Sequence, residues 1–472
     1  MNVPRWAPAW FRRGVGRVLG RIGLQVSLGA GVGVAVVMAY LAWNTWGQLV
    51  LVAAGFILMM GCSLIVLYPV IGVMAVAFVV TMLPTLMMPK VLLVLMMATL
   101  VGVIIRKLAC GDPTWRVTPF MLWSCALLTW LVISIAWARS YDYVGFVFQY
   151  NAFLLPIIFT EVVRTQKELH WVIVASAAGI VVTGLIIVYG FFELISSGVL
   201  VKVSGAAAGL KNARFFGVWN NPNALAYSIM PFVVLSVAML VEPWKKLIRA
   251  LLIGSASIGS VVMMATLARG ALLCSGIALA LVFRRLRWRW HVLIALLLLI
   301  IVTSLFLPTT VLNRIETLTH GRADASVSER SILLRSGIEM IEDSFPFGLG
   351  GGGTFRYSTD YSMHRLSPIG THNSYVDVLA EGGLVGGLLI AGMVVALFAA
   401  IRKRPRCNEA LRGDYLRVFL FASLVAVLLG MNFENVIGLP AYWLFFTIVS
   451  LYPVLLPEPL TAACEHKVTS HE

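Results

Sequence analysis

Thr371-His372-Asn373-Ser374-Tyr375 closes the longest polar interval of the chain, and the sequence runs on through Glu381-Gly382-Gly383 into an apolar stretch ending near residue 401. That stretch, 373–401, is long enough to cross a hydrocarbon layer of about 30 Å. A titratable imidazole therefore sits where water meets membrane. Histidine is the side chain best suited to exchange a proton near neutral pH. Two questions follow: what it would take a proton from, and which groups face the same side.

Working outward, apolar runs of this kind recur along almost all of the 472 residues, of which 60% are hydrophobic and 12% charged. The mean hydropathy is +0.91, far above that of a soluble globular chain. Candidate spans are 23–42, 47–66, 69–86, 90–106, 118–137, 145–163, 170–191, 222–241, 247–267, 270–284, 291–308, 373–401, 415–431 and 437–456. The first three are crowded enough that two could be half-helices. The expected fold is an all-α polytopic membrane protein with 12–14 transmembrane helices and one long outer loop containing an amphipathic helix. Its parts are a basic cytoplasmic N-terminus (1–22), transmembrane helices (23–308) with an outer loop at 192–221, a long outer loop (309–371), C-terminal transmembrane helices (372–456) and a cytoplasmic tail (457–472). Arg5, Arg12, Arg13, Arg17 and Arg21 precede an apolar run without a small-residue cleavage site, which reads as a tail rather than a removed signal.

Charge orients the array. With the N-terminus inside, the inside segments hold Arg106, Lys107, Arg116, Arg164, Lys245, Lys246, Arg249, Arg284, Arg402 and Arg404, while the short outer loops hold few basic residues. The net charge of +15 is mostly this topology signal. Scattered over short loops, it does not read as a nucleic-acid surface. The six cysteines fall in spans or on the inside face, so no disulfide framework is implied. No spacing suggests a metal site, and no cofactor is expected.

The outer side is where chemistry gathers. Arg139, beside Tyr141 and Tyr143 at an outer helix end, reads either as an interfacial anchor or as an anion ligand. The loop 192–221 carries Lys202, Lys211 and Arg214 against the topological bias, then Asn221-Pro222-Asn223, where Asn-Pro favours a turn and asparagine can cap the next helix. Arg214 is accordingly an anion-binding candidate; the plainer alternative is an ordinary loop. Arg269, in a tight turn between two spans, must lie near the membrane boundary. A buried guanidinium needs an anionic partner, and the neighbouring sequence offers no carboxylate. A ligand phosphate fits that requirement; snorkelling to the interface is the alternative. In the long loop, Ser328–Ser344 has a helical pattern with Leu334, Ile338 and Ile341 on one stripe. Arg330 sits one turn before Leu334 on that stripe, so it is expected to point inward near a helix N-terminus, which favours anions. Arg335, Glu339 and Asp343, at i, i+4 spacing, read as a solvated face. The glycines of 348–353 permit tight turns or a close backbone approach to a ligand. They lack a Walker lysine and serine. Glu381, nine residues after His372, falls near the opposite face of a continuous helix, although Gly382, Gly383, Gly386 and Gly387 could break it.

The ordered set Arg214…Gly217…Asn221-Pro222-Asn223, Arg269-Gly270, Arg330 with Pro346…Gly348…Gly350, and His372-Asn373-Ser374…Glu381-Gly382-Gly383 resembles the O-antigen ligase and O-antigen polymerase superfamily over roughly residues 205–390. One departure is Ala268, where that superfamily often has serine. The resemblance implies a GT-C-like, metal-independent, inverting glycosyltransferase of a bacterial inner membrane, with its active site facing the periplasm. Its donor would be a glycan on undecaprenyl pyrophosphate and, for a ligase, its acceptor the lipid A–core oligosaccharide of lipopolysaccharide. In that reading His372 is the general base, and Arg214, Arg269, Arg330 and Arg139 bind the pyrophosphate. Asn221, Asn223, Asn373 and Glu381 support them. The nearest rivals are a polymerase and a protein O-glycosyltransferase using the same donor. A transporter would place ionisable groups in mid-span, whereas Glu161 and Glu193 lie towards span ends. A non-catalytic scaffold explains neither His372 nor the outer arginines.

Overall fold

In a bilayer every backbone N–H and C=O must find its partner within the protein, so an apolar run that crosses becomes a helix. The computed structural model describes residues 60–82, 88–111, 114–138, 151–196, 222–266, 268–284, 325–362, 370–402, 411–435 and 437–455, and among them there is no strand. The helices are, in chain order, α1 (Pro69–Met82), α2 (Met88–Cys110), α3 (Pro119–Ser134), α4 (Leu154–Val162), α5 (Gln166–Ser196), α6 (Pro222–Met239), α7 (Lys246–Ala265), α8 (Arg269–Phe283), α9 (Ala325–Ser344), α10 (Gly353–Tyr361), α11 (Ser374–Arg402), α12 (Leu411–Gly430) and α13 (Pro440–Leu451). Among the described residues six are long and apolar enough to cross a membrane, and several shorter apolar helices pack among them. Where the candidate spans fall on described residues their central parts are helical; 23–42 and 291–308 lie outside those residues, as do 47–59, 83–86 and 145–150. The chain is thus an all-α, multi-pass membrane protein.

Helix composition decides position. Almost every residue of α6 is buried, as is α13 from Ala441 to Leu451. Both are apolar all round, which suits helices with neighbours on every side. Trp443 of α13 stacks at 3.9 Å on Phe153 and meets Phe120 of α3 at 6.1 Å. By contrast α2 exposes Val94, Met97, Val101, Ile104, Ile105 and Leu108, a single stripe with the i, i+3, i+4 spacing of a lipid-facing surface. Small residues let helices approach without an aqueous hydrophobic drive. Thr81 of α1 donates to the Ser176 carbonyl of α5 at 2.8 Å, over Gly179.

Helix polarity sorts the two ends of the bundle. At one end Glu161 of α4 is buried and pairs with Lys107 of α2 at 2.9 Å, receives the Arg116 backbone N–H and faces Arg164 at 3.8 Å. The alternating chain carries Lys245, Arg249, Arg284 and Arg402 to that same end. Glu161 is therefore a structural hub between helix ends. The opposite end collects the C-terminus of α3, the N-termini of α6, α8 and α11, and the α12–α13 turn.

Candidate active site

His372 lies in the turn that starts α11, and it is built into place from both sides. The preceding residue, Thr371, donates its hydroxyl (2.6 Å) and its backbone N–H (3.1 Å) to Oδ1 of Asp377, one turn into the helix. The following residue, Asn373, caps α11 by accepting the N–H groups of Tyr375 and Val376 at 3.1 and 3.2 Å. Between these anchors His372 adopts φ +55°, among the described residues the one non-glycine with a positive φ. That conformation costs on the order of 1–2 kcal/mol, which the flanking bonds offset.

The α12–α13 turn meets this turn. Ser374 donates its N–H to the Met431 carbonyl at 2.8 Å and its hydroxyl to the Glu434 carbonyl at 2.9 Å. The Glu434 carboxylate, 5% exposed, then reaches Nδ1 of His372 at 3.2 Å, while the imidazole keeps 18% of its surface exposed. A proton on Nδ1 donated to Glu434 leaves the Nε2 lone pair for a substrate hydroxyl. The imidazole can thus accept a proton while a buried carboxylate orients it and compensates the resulting charge.

The candidate arginines converge only in part. α9 packs on the His372 turn through Gly337, where a Cβ would come within 2.5 Å of Val376 and 2.8 Å of Thr371. The expected stripe is displaced: Leu334 and Ile338 face outward, and Leu333, Ser336, Gly337 and Met340 are the buried positions. Arg330 still lies on the inward side, half-buried, because 330, 333, 337 and 340 form one stripe as readily as 330, 334, 338 and 341. Arg335 and Glu339 pair on the solvated face at 3.0 Å. Arg269 is the first residue of α8 and is exposed, so the argument from burying its charge does not apply. Next to it, a Cβ on Gly270 would come within 2.1 Å of the buried Tyr227 hydroxyl of α6 and 3.2 Å of Phe433, the neighbour of Glu434. The Tyr227 hydroxyl lies within electrostatic reach of both Glu434 and Arg330. Asn223, the second residue of α6, is half-buried at this end. Arg139, Arg214 and Asn221 lie outside the described residues.

The glycine-rich segment approaches backbone, not an open ligand cradle. α11 breaks at Gly383 (φ +60°, ψ −153°), and a break inside an apolar helix frees polar groups that need partners. The loop supplies them: Leu349 and Gly350 donate to the carbonyls of Ala380 and Glu381 at 2.7 and 3.0 Å, and Leu384 donates to the Pro346 carbonyl at 2.9 Å. From α3, Trp130 caps the Gly382 carbonyl at 2.6 Å, and Ser134 accepts the Gly351 N–H at 2.9 Å. Glu381, beside the break, accepts the Thr354 hydroxyl at 2.6 Å, so its carboxylate is directed to α10.

Reading the sequence missed Glu434. Its signal was a lone carboxylate between Asn432 and Asn435 in the short turn joining the last two spans, on the side of His372 by helix parity. Asp377 and Thr354 were missed as well, because their partners are set by turns and packing. Among the described residues no group of three His, Cys, Asp or Glu side chains is arranged to hold a metal ion.

No curated protein matches the chain. Residues 254–391, which include Arg269, Arg330 and His372, match the sequence model of the O-antigen ligase family. That domain, set in a bundle of membrane-spanning helices, supports an O-antigen ligase family assignment and, with it, a glycosyltransferase-like ligase or polymerase.

Proposed function

We propose that the protein is an O-antigen ligase. It would move a glycan from undecaprenyl pyrophosphate to the lipid A–core oligosaccharide, on the periplasmic side of a bacterial inner membrane, within a GT-C-like fold. The observation that carries this reading is the pairing of the His372 imidazole with a buried Glu434 carboxylate, at the bundle end where Arg269 and Arg330 also lie. The clustering of basic residues at the other end supports the assignment of this end to the periplasm.

In the proposed reaction the acceptor hydroxyl gives its proton to Nε2 of His372 while its oxygen attacks the anomeric carbon. The bond from that carbon to the pyrophosphate oxygen breaks, the configuration inverts, and undecaprenyl pyrophosphate leaves with the electron pair. Arg330 and Arg269 stabilise the charge that gathers on the departing phosphate, Arg269 at the N-terminus of α8. Arg214 and Arg139 complete the anion site, and the pyrophosphate needs no metal in this scheme. Glu434 holds the imidazole and balances its charge.

The test is glycan transfer from purified lipid-linked donor to lipid A–core by a His372→Asn variant, since asparagine tolerates a positive φ. Loss of transfer with donor binding intact is expected, and undiminished transfer would sink the general-base role. Chain growth when donor alone is supplied would instead identify a polymerase, the second member of the family's repertoire.

A further inference from the structure

The helix-and-loop segment between α8 and α11 carries an apolar surface that its contacts with the bundle do not use. On α9, Leu334 and Ile338 follow at i and i+4 and are exposed, off the buried positions Leu333, Gly337 and Met340. Next to them, Phe345 is 63% exposed, Phe347 61% and Phe355 55%. Arg335, Glu339 and Asp343 occupy a separate, polar face of the same helix. A helix with one face packed, one apolar and exposed, and one charged has the pattern of an element lying in a membrane interface.

Two further observations select lipid as what covers this surface. First, the patch is continuous with the lipid-facing side of α3. Phe347 meets Trp137 edge-on at 6.3 Å, Trp137 meets Trp130 at 5.6 Å, and Val132 and Ile133 beside them are exposed. Tryptophans at a span end mark the interfacial belt. Second, the height is right. The loop is bonded to α11 at its break, and from Leu384 to Arg402 the helix continues for roughly 28 Å at 1.5 Å per residue, about one hydrocarbon thickness. Phe345 and Phe347 flank the residue that bonds Leu384, so they sit at the edge of that layer.

We infer that the outward face of α9 and the adjoining Phe345, Phe347 and Phe355 form a membrane seat, inserted among the acyl chains at the boundary of the bilayer. This surface goes beyond the proposed transfer reaction and stands independently of it. The seat anchors the loop that completes the Gly383 break, and so steadies the helix that starts at the His372 turn.

The experiment is photo-crosslinking in the full chain, reconstituted in vesicles of phosphatidylethanolamine and phosphatidylglycerol. A photoreactive p-benzoylphenylalanine is incorporated at Phe347, at Phe355 or at Ile338, and at Asp343 as the polar-face control. Mass spectrometry then identifies what each position captures. Lipid adducts several-fold above those at Asp343 are expected at Phe347 and Phe355, where aromatic replaces aromatic and folding is least disturbed. Crosslinks to peptides of this chain or of a second copy would overturn the seat, as would adduct yields no higher than at Asp343.

Discussion

The imidazole of His372 and the carboxylate of Glu434 meet at 3.2 Å across 62 positions of sequence. The two turns that carry them are joined by two bonds from a single residue, Ser374. A base held in this way should lose function in two distinguishable steps. His372→Asn should lower kcat by about 10²–10⁴. Glu434→Gln, which keeps the shape but not the charge, should lower it by at least about tenfold. The double variant should be little worse than His372→Asn alone, because the two act as a unit. Steady-state transfer rates in a double-mutant cycle check this, and additive losses would separate the two residues.

The break in α11 makes a sharp prediction about glycine. At Gly383 a Cβ would come within 2.1 Å of the Pro346 carbonyl oxygen, and at Gly348 within 2.4 Å of that of Glu381, both at positive φ. Backbone cannot yield as a side chain can. Gly383→Ala and Gly348→Ala should each cost more than about 2 kcal/mol. Gly352 also has positive φ but open space around it. Gly352→Ala should cost only about 1–2 kcal/mol. Thermal unfolding in detergent orders the three.

A rescue is expected at Gly270. Its Cβ would meet the Tyr227 hydroxyl oxygen at 2.1 Å, and that buried hydroxyl has no hydrogen-bond partner among the described residues. Tyr227→Phe should therefore be neutral or slightly stabilising. Gly270→Ala should destabilise by about 1–3 kcal/mol. The pair should recover much of the loss, since the clashing atom is gone. Melting temperatures of the four proteins decide the matter.

The opposite end tests a buried charge. Glu161→Gln leaves Lys107 with 9% side-chain exposure and no carboxylate at 2.9 Å. Breaking a buried pair from one side costs about 3–5 kcal/mol. Adding Lys107→Met should return part of that stability. Transfer activity per folded molecule should stay near wild type in both, because the pair lies at the other end of the bundle.

The sequence by itself determined the class of this protein. Apolar runs long enough to cross a bilayer admit helices only, and basic residues at alternate loops sort the helix ends. Both signals are local and additive, so no contact need be known to read them. His372, Arg269 and Arg330 were legible for the same reason: each is a polar group at the edge of an apolar or amphipathic segment. Tertiary structure alone decided what those groups touch. Glu434 becomes the partner of His372 only because the α12–α13 turn is bonded to Ser374. The inward stripe of α9 ran through Leu333 and Met340, not Leu334 and Ile338, since a helix flanked by apolar residues on two faces can pack by either. The glycines, which by sequence suited either tight turns or a backbone approach to a ligand, complete a broken helix, because in an apolar layer freed backbone groups must be paired, and only distant chain can pair them.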